Sequence, residues 1–319
     1  MVYFIFLSFL IATGSVYLIM CIIFFAGLSR KKTERWNNKE FVSVIIAVRD
    51  EEKNIRDCLE CLIKQTYPEE LYEIIVVDDN SSDSTSMIVE DFCSKHKNVF
   101  LYRLDRYKPG FSPKKQAITL GIEKSKGEII LTTDADCRVK KGWIESMISG
   151  FTKNTGMVAG FSQVEREKRF NILNIIQQLD FLSLMTAAAG SISIGIPFAV
   201  SGQNLAYRKK AFWEVGGFNS IFDRVSGDDV LLMQIIRKKT DWKIKFNFYP
   251  ESFVTTKGEK KLRDLLNQRK RWASNSKVLF SLDKGFFFYL VDVFLFNLLI
   301  LIGILFCIFV SEIRIYIIN

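Results

Sequence analysis

Apolar and polar positions along this chain follow distinct regimes. Residues 1–28 carry no charged side chain, and a helix over that run is long enough to cross the roughly 30 Å hydrocarbon layer of a bilayer. A second run, 286–310, is interrupted only by Asp292. Between them the pattern shortens. Residues 42–48, 74–77 and 129–131 are near-continuous apolar stretches, the mark of strands buried on both faces of a parallel sheet. Helical spacing fills 52–65, 84–95 and 114–125. This alternation predicts an α/β sandwich of the nucleotide-binding kind, with a mostly parallel central sheet and ligands at the carboxyl ends of the strands.

Composition adds direction. With 319 residues, 49% of them hydrophobic, the chain can bury a sizeable core in one or two domains. The first apolar run lacks the basic start and short core of a cleaved signal, so it reads as a retained anchor. Arg30, Lys31, Lys32 and Arg35 follow it and no Lys or Arg precedes it, which places the body in the cytosol and the tail 311–319 on the far side. The formal charge of +9 suits an anionic leaflet; without a helix-turn-helix, zinc or stacking-platform pattern it does not indicate nucleic acid. Cys58 and Cys61 have CxxC spacing, but Ile55, Cys58, Leu59 and Leu62 repeat at i, i+3, i+4 and i+7, so the pair reads as core. His96 is the single histidine, which argues against zinc chemistry and a serine triad.

The polar chemistry is concentrated in ordered motifs. VVDDNSSDST puts Asp78 and Asp79 at the end of the second predicted strand. Turn and cap chemistry accounts for part of that cluster, while a carboxylate there can also accept the N3 proton of a uracil, the role expected of Asp79. TTDAD follows the strand at 129–131; carboxylates at i and i+2 can offer one group to a ribose and one to a hard divalent ion. SGDD puts Asp228 and Asp229 ahead of an apolar helical pattern, either as a cap favoured by the helix dipole or with Asp229 as a base for an attacking sugar hydroxyl. In QRKRW, Leu262, Leu265, Leu266, Trp272 and Ala273 form the apolar stripe of a basic surface helix. Arg269 and Arg271 supply planar donors for phosphate, and Trp272 a flat face for a sugar.

Taken in this order, the motifs make the chain resemble membrane-bound family 2 glycosyltransferases of the GT-A fold, the group of processive polysaccharide synthases and ceramide glucosyltransferase-like enzymes. The resemblance covers 41–272 and the flanking spans. It implies a nucleotide-sugar donor, with uracil the expected base, contacted by Ala47, Arg49 and Glu51 of IIAVRDEE beside Asp79. Lys114 of KKQA would approach the diphosphate, and the family's DxD falls on Asp134 and Asp136, with Asp136 the ligand of Mg2+ or Mn2+. Asp228 and Asp229 match the second acidic pair, Asp229 being the base; QxxRW maps onto Gln268, Arg271 and Trp272. Gly202, Gln203 and Asn204 would shape the acceptor pocket. The pair usually written ED in polymer synthases is Asp-Asp here, which leaves the base in place but puts the acceptor in question. Inversion at the anomeric carbon is implied, as is a place in a bacterial inner membrane.

The expected organisation is an anchor at 1–28, a basic linker at 29–40, a GT-A catalytic domain at 41–260, an amphipathic interfacial segment at 261–285, a second span at 286–310 and a tail. Residues 181–207 are also uncharged and long enough to cross a membrane. A crossing there would separate Asp229 from Asp136 by a bilayer, so the segment is expected to be an amphipathic or buried helix. Two spans cannot enclose a polar path for a growing glycan, which favours a lipid-linked or membrane-proximal acceptor. A subunit of a processive synthase, working with further copies or an accessory membrane subunit, is the alternative. A non-catalytic nucleotide-sugar-binding subunit is a third reading.

Overall fold

The apolar runs become the elements their spacing requires. The computed structural model describes residues 1–29, 39–105 and 107–318. Helix α1 (Val2–Leu28) is followed by β1 (Val42–Val48), α2 (Ile55–Leu62), β2 (Tyr72–Asp78), α3 (Thr85–Lys95), β3 (Val99–Arg103), α4 (Pro113–Lys124) and β4 (Ile129–Thr132). β2 is buried along its whole length and β1 nearly so, as strands covered on both faces must be. α2 buries the stripe Ile55, Cys58, Leu59 and Leu62. α4 opens with Pro113 in its first turn, where the missing N–H costs nothing.

The second half adds β5 (Cys137–Val139), α5 (Trp143–Ser149), β6 (Thr155–Gly160), β7 (Ser162–Val164), α6 (Ile172–Ser193), β8 (Leu205–Arg208), α7 (Lys209–Glu214), α8 (Val230–Lys239), β9 (Lys243–Asn247), β10 (Val254–Thr256), α9 (Leu262–Ala273), α10 (Ser276–Leu282) and α11 (Lys284–Ile318). The main sheet has seven strands in the order β3-β2-β1-β4-β8-β6-β9, with a three-stranded sheet β5-β10-β7 beside it. Apolar clusters on the two faces of the main sheet make it a sandwich: α2, α3 and α5 cover one face, α4, α7 and α8 the other. Strands β1, β2, β3 and β4 are parallel, whereas β8 runs antiparallel to β4 and β6. That reversal decides what reaches the active edge. Residues following β1, β2 and β4 lie at their carboxyl ends, and the residues preceding β8 join them there, with Thr132 opposite Leu205.

Among the described residues three helices, α1, α6 and α11, are long and apolar enough to cross a membrane. α1 and α11 run antiparallel, with the Tyr17 ring centroid 5.2 Å from Phe296 and Phe24 5.6 Å from Tyr289. α6 differs in its attachments. Near its start Asn174 and Gln177 each donate at 3.0 Å to the carbonyls of Glu165 and Glu259. Past its end, Gln234 of α8 donates to the carbonyls of Pro197 and Phe198 at 3.0 and 2.9 Å. Both ends therefore stay on the α/β domain, and the segment 181–207 divides into the end of α6, a return path and β8. α6 touches α1 where Gly27 meets Gly190; a Cβ on Gly27 would stand 2.6 Å from the Gly190 carbonyl oxygen, so small residues permit the contact. Along the first half of α6, on the side away from the buried Asn174, Gln177 and Phe181, Ile172, Ile175, Ile176, Leu179 and Leu182 are exposed. Arg30, Lys31, Lys32 and Arg35, on which the expected orientation rests, lie outside the described residues.

Candidate active site

The turns after β1 and β2 are built by short polar side chains. Asp50 and Asn80 adopt left-handed conformations, φ 55° and 53°, which Asp and Asn tolerate better than most residues. The Asp50 carboxylate ties the turns together by accepting from the N–H and hydroxyl of Ser82 at 2.7 and 3.0 Å. Of the two adjacent aspartates, Asp78 is committed to local structure, accepting from the Ser81 N–H at 3.1 Å and from the hydroxyls of Ser81 and Ser86. Asp79 instead accepts from the Tyr107 hydroxyl and has Arg49 Nη1 at 3.6 Å. Asn80 donates to the same hydroxyl at 3.0 Å. Tyr107 belongs to no motif and is the residue that sequence reading misses here. Ala47 sits half-buried in β1, paired with Val77. Burial pushes the Glu51 carboxyl upward against the hydrogen bond from Asn54, and the charges of Asp136 and Asp134 add to the rise.

At the end of β4, Asp134, Asp136 and Cys137 each place a ligand atom within 4.8 Å of the others. Burial, then the Asp134 charge, raises the Asp136 carboxyl, while the Thr256 hydroxyl donates to it at 3.0 Å. Burial also holds the Cys137 thiol well above its usual range, so the competent donors are carboxylate oxygens. The close, partly buried carboxylate pair offers oxygen donors of the kind a hard divalent cation prefers, with the Cys137 thiol beside them. Lys114 of α4 lies between the motifs, its Nζ 3.0 Å from Asp134 Oδ1 and 3.2 Å from Asp228 Oδ2. Burial works to lower this ammonium, and Asp134 and Asp228 outweigh it, raising the group well above its ordinary value. Asp228 answers in kind: burial opposes its charge, but Lys114 and Lys115 hold it below the usual carboxylate range.

Asp229 caps α8 and also faces the site. Its Oδ1 accepts from the Val230 N–H at 2.6 Å and its Oδ2 from the Gly202 N–H at 2.9 Å. Burial, followed by the Asp228 charge, pushes it up to about 6. Of the expected acceptor residues, Gly202 thus orients Asp229 directly. Gln203 donates to Thr256 at 3.3 Å, while its buried Oε1 has no partner. Asn204 is buried beneath them, accepting from Trp143 Nε1 at 2.9 Å and donating to the Phe161 and Ser252 carbonyls at 2.9 and 2.7 Å.

On α9, Gln268 donates to Glu259 Oε1 at 3.2 Å. Arg269 pairs with Asp180 of α6 and lies 4.2 Å from the centroid of the Trp272 ring, so one face of that ring is already covered. The Arg271 side chain is exposed and makes no ion pair among the described residues, while its carbonyl accepts from the Ser226 hydroxyl at 3.1 Å. The motifs therefore meet in sequence: Lys114 joins TTDAD to SGDD, and Ser226 joins SGDD to QRKRW.

Residues 43–216, more than half of the chain, match Glycosyl transferase family 2. The chain belongs to glycosyltransferase family 2. This family 2 member is 27% identical over 236 residues to a poly-beta-1,6-N-acetyl-D-glucosamine synthase of Staphylococcus epidermidis, covering 73% of this chain and 54% of that one. It is 26% identical over 257 residues to a beta-monoglucosyldiacylglycerol synthase of Trichormus variabilis, covering 79% and 52%. The chain thus spans about half the length of these curated relatives. Among solved structures, mannosyltransferase PcManGT from Pyrobaculum calidifontis in complex with GDP-Man and Mn2+ is similar at a TM-score of 0.63 and 18% identity, covering 82% of this chain and 72% of that one. The fold is accordingly GT-A, a mostly parallel sheet flanked by long apolar helices.

Proposed function

We propose that this chain is a membrane-anchored inverting glycosyltransferase. It moves a sugar from a nucleotide-sugar, with UDP the expected carrier, to a lipid-linked or membrane-proximal acceptor by direct displacement. The observation that carries this reading is Lys114, whose ammonium spans Asp134 and Asp228 and so puts the strand-end carboxylates beside the SGDD carboxylates in one cleft.

In this reading Asp79 accepts from the nucleobase, with Arg49 and Tyr107 at its edge. Asp136, with Asp134 beside it, would hold Mg2+ or Mn2+, and that cation would supply charge neutralisation for the departing diphosphate. Lys114 adds a fixed positive charge at the same end, and Arg271 of α9, exposed and without an ion pair among the described residues, is a further cation for the diphosphate. Asp229 takes the proton of the acceptor hydroxyl as its oxygen bonds to the anomeric carbon and the bond from that carbon to the diphosphate breaks. The backbone N–H groups of Gly202 and Val230 fix the carboxylate, and an elevated pKa near 6 leaves it ionised at neutral pH yet basic enough to accept the proton.

A membrane-proximal acceptor is supported by the surroundings of the base. Phe198, whose carbonyl is tied to α8, packs against Phe24 of α1 and Phe286 of α11. The exposed apolar stripe on α6 suits a helix lying in the bilayer surface on the cytosolic side, and α1 and α11 by themselves enclose no polar conduit for a polymer. Similarity to a glycolipid synthase agrees with this reading, whereas the polysaccharide-synthase relatives support the processive alternative.

The test is to incubate detergent-purified protein with a panel of nucleotide-sugars, Mg2+ or Mn2+ and membrane lipid extract, then to measure nucleoside diphosphate release and product mass. Metal-dependent release with a discrete glycolipid mass is expected. A mass ladder would replace single transfer by polymerisation, and absence of release with every donor would remove the enzyme reading.

A further inference from the structure

A loop is held in place only as well as its backbone groups are paired, and the loop carrying SGDD is paired in an unusual way. At its start the Phe222 carbonyl accepts from the Ser112 N–H at 2.7 Å, and the Phe222 ring lies 5.7 Å from Phe111. One helical turn on, Lys115 of α4 is 0% exposed. Its ammonium donates to two loop carbonyls, Arg224 and Ser226, the latter at 2.9 Å. From the opposite side Asn275, just past α9, donates to the Ser226 hydroxyl at 2.9 Å. Gly227 then turns with φ +88°, and a Cβ there would stand 2.6 Å from Leu231, so glycine is required where the chain bends towards Asp228 and Asp229.

A buried ammonium is costly unless it is paired. Surface lysines achieve solvation without such a site, so the burial of Lys115 beneath this loop calls for a function. Its charged surroundings are Asp228, Asp229 and Asp223 on the loop, with Lys114 on its own helix. Burial draws Lys115 down to about 8 against the pull of Asp228 and Asp229, which leaves it largely protonated at neutral pH.

We propose that Lys115 and Asn275 are positioning residues for the transfer reaction. Lys115 holds the carbonyls of Arg224 and Ser226 and Asn275 the hydroxyl of Ser226, so the loop is clamped between α4 and the end of α9, holding Asp229 at the acceptor hydroxyl while Lys114, the preceding residue on α4, holds the diphosphate end. Neither residue touches a reacting atom; each acts through the loop. The inference rests on the assignment of Asp229 as the base.

Lys115→Met keeps the side-chain length and removes both loop bonds and the charge. It is expected to lower kcat by about 30-fold, since a small displacement of a reacting group costs up to about 100-fold, with the donor KM unchanged within about twofold. The acid limb of its kcat profile should move to higher pH, because Asp228 and Asp229 lose a positive neighbour. Asn275→Ala, at the periphery of the loop, should lower kcat by about threefold without moving the limb. Calorimetric binding of UDP with Mn2+ serves as the check that each variant is folded. Unchanged kcat in either variant, or a loss confined to KM, overturns the clamp. Should Lys115→Met fail to fold, Asn275→Ala decides the matter alone. Asp229→Asn is assayed in parallel: turnover surviving there overturns the base assignment and the clamp with it, whereas turnover lost there with normal Lys115→Met overturns the clamp only.

Discussion

The donor end of the site and the reacting end are built on different kinds of support. Asp79, Asp134 and Asp136 follow parallel strands whose register is fixed by continuous ladders, with Val48 opposite Asp78 and Ile45 opposite Thr132. Asp229 and Arg271 stand on a loop and a surface helix, located by individual bonds from Gly202, Lys115, Asn275 and Asp180. A strand end is held by the whole sheet, so losing one side chain leaves its neighbours in place. A loop held by single bonds moves when one is lost. The difference predicts that substitutions at the donor end remove an interaction and leave geometry intact, whereas substitutions around the loop act through misplacement.

The largest expected effect is at the strand end. Asp136→Asn should reduce turnover by about 1000-fold or more and abolish the Mn2+ dependence of UDP binding; metal-dependent binding that persists would move the ion elsewhere. Lys114→Met removes the bridge between the two ends and should cost about 100-fold in kcat/KM. A loss below about threefold would mean that the ends work independently. The pH profile probes the reacting end alone. The proposed base would act when ionised, and burial with the Asp228 charge pushes Asp229 up to about 6, so kcat should be flat above neutrality and fall as pH drops through that value, approaching about tenfold per unit below pH 5. A flat profile down to pH 5 would contradict the base. The smallest effect is expected for Asp180→Asn, which breaks a half-buried pair with Arg269 away from the reacting groups and should change turnover by no more than about threefold.

Much of the donor end was legible in the chain because its signals are local. Apolar runs at 42–48, 74–77 and 129–131 become β1, β2 and β4 with small changes at their ends, and strand-end aspartates follow directly from them. The stripe through Cys58 becomes the buried face of α2. Within the same cluster, spacing could not separate Asp78, spent on serines, from Asp79, since both occupy a strand end. The reacting end was less legible. Lys115 and Asn275 lie outside the motifs and their partners are remote in sequence, Lys115 reaching carbonyls more than 100 residues away; at the donor end Tyr107 and Thr256, which donate to Asp79 and Asp136, are equally unmarked. The buried amide of Asn204 lies under the acceptor side, a placement decided by Trp143 and Ser252. Hydropathy alone allows 181–207 to cross a bilayer; what holds its flanks to the domain is the Gln234 amide and the antiparallel pairing of β8, neither of which has a local signature.

If donor site and base form one reacting centre, Asp229→Asn separates donor binding from sugar transfer. UDP binding with Mn2+ by calorimetry and sugar transfer should be measured on the same preparation. Binding within about twofold of the unsubstituted protein and transfer reduced by about 1000-fold are expected. Transfer at the unsubstituted rate, or loss of binding together with transfer, would contradict the single centre.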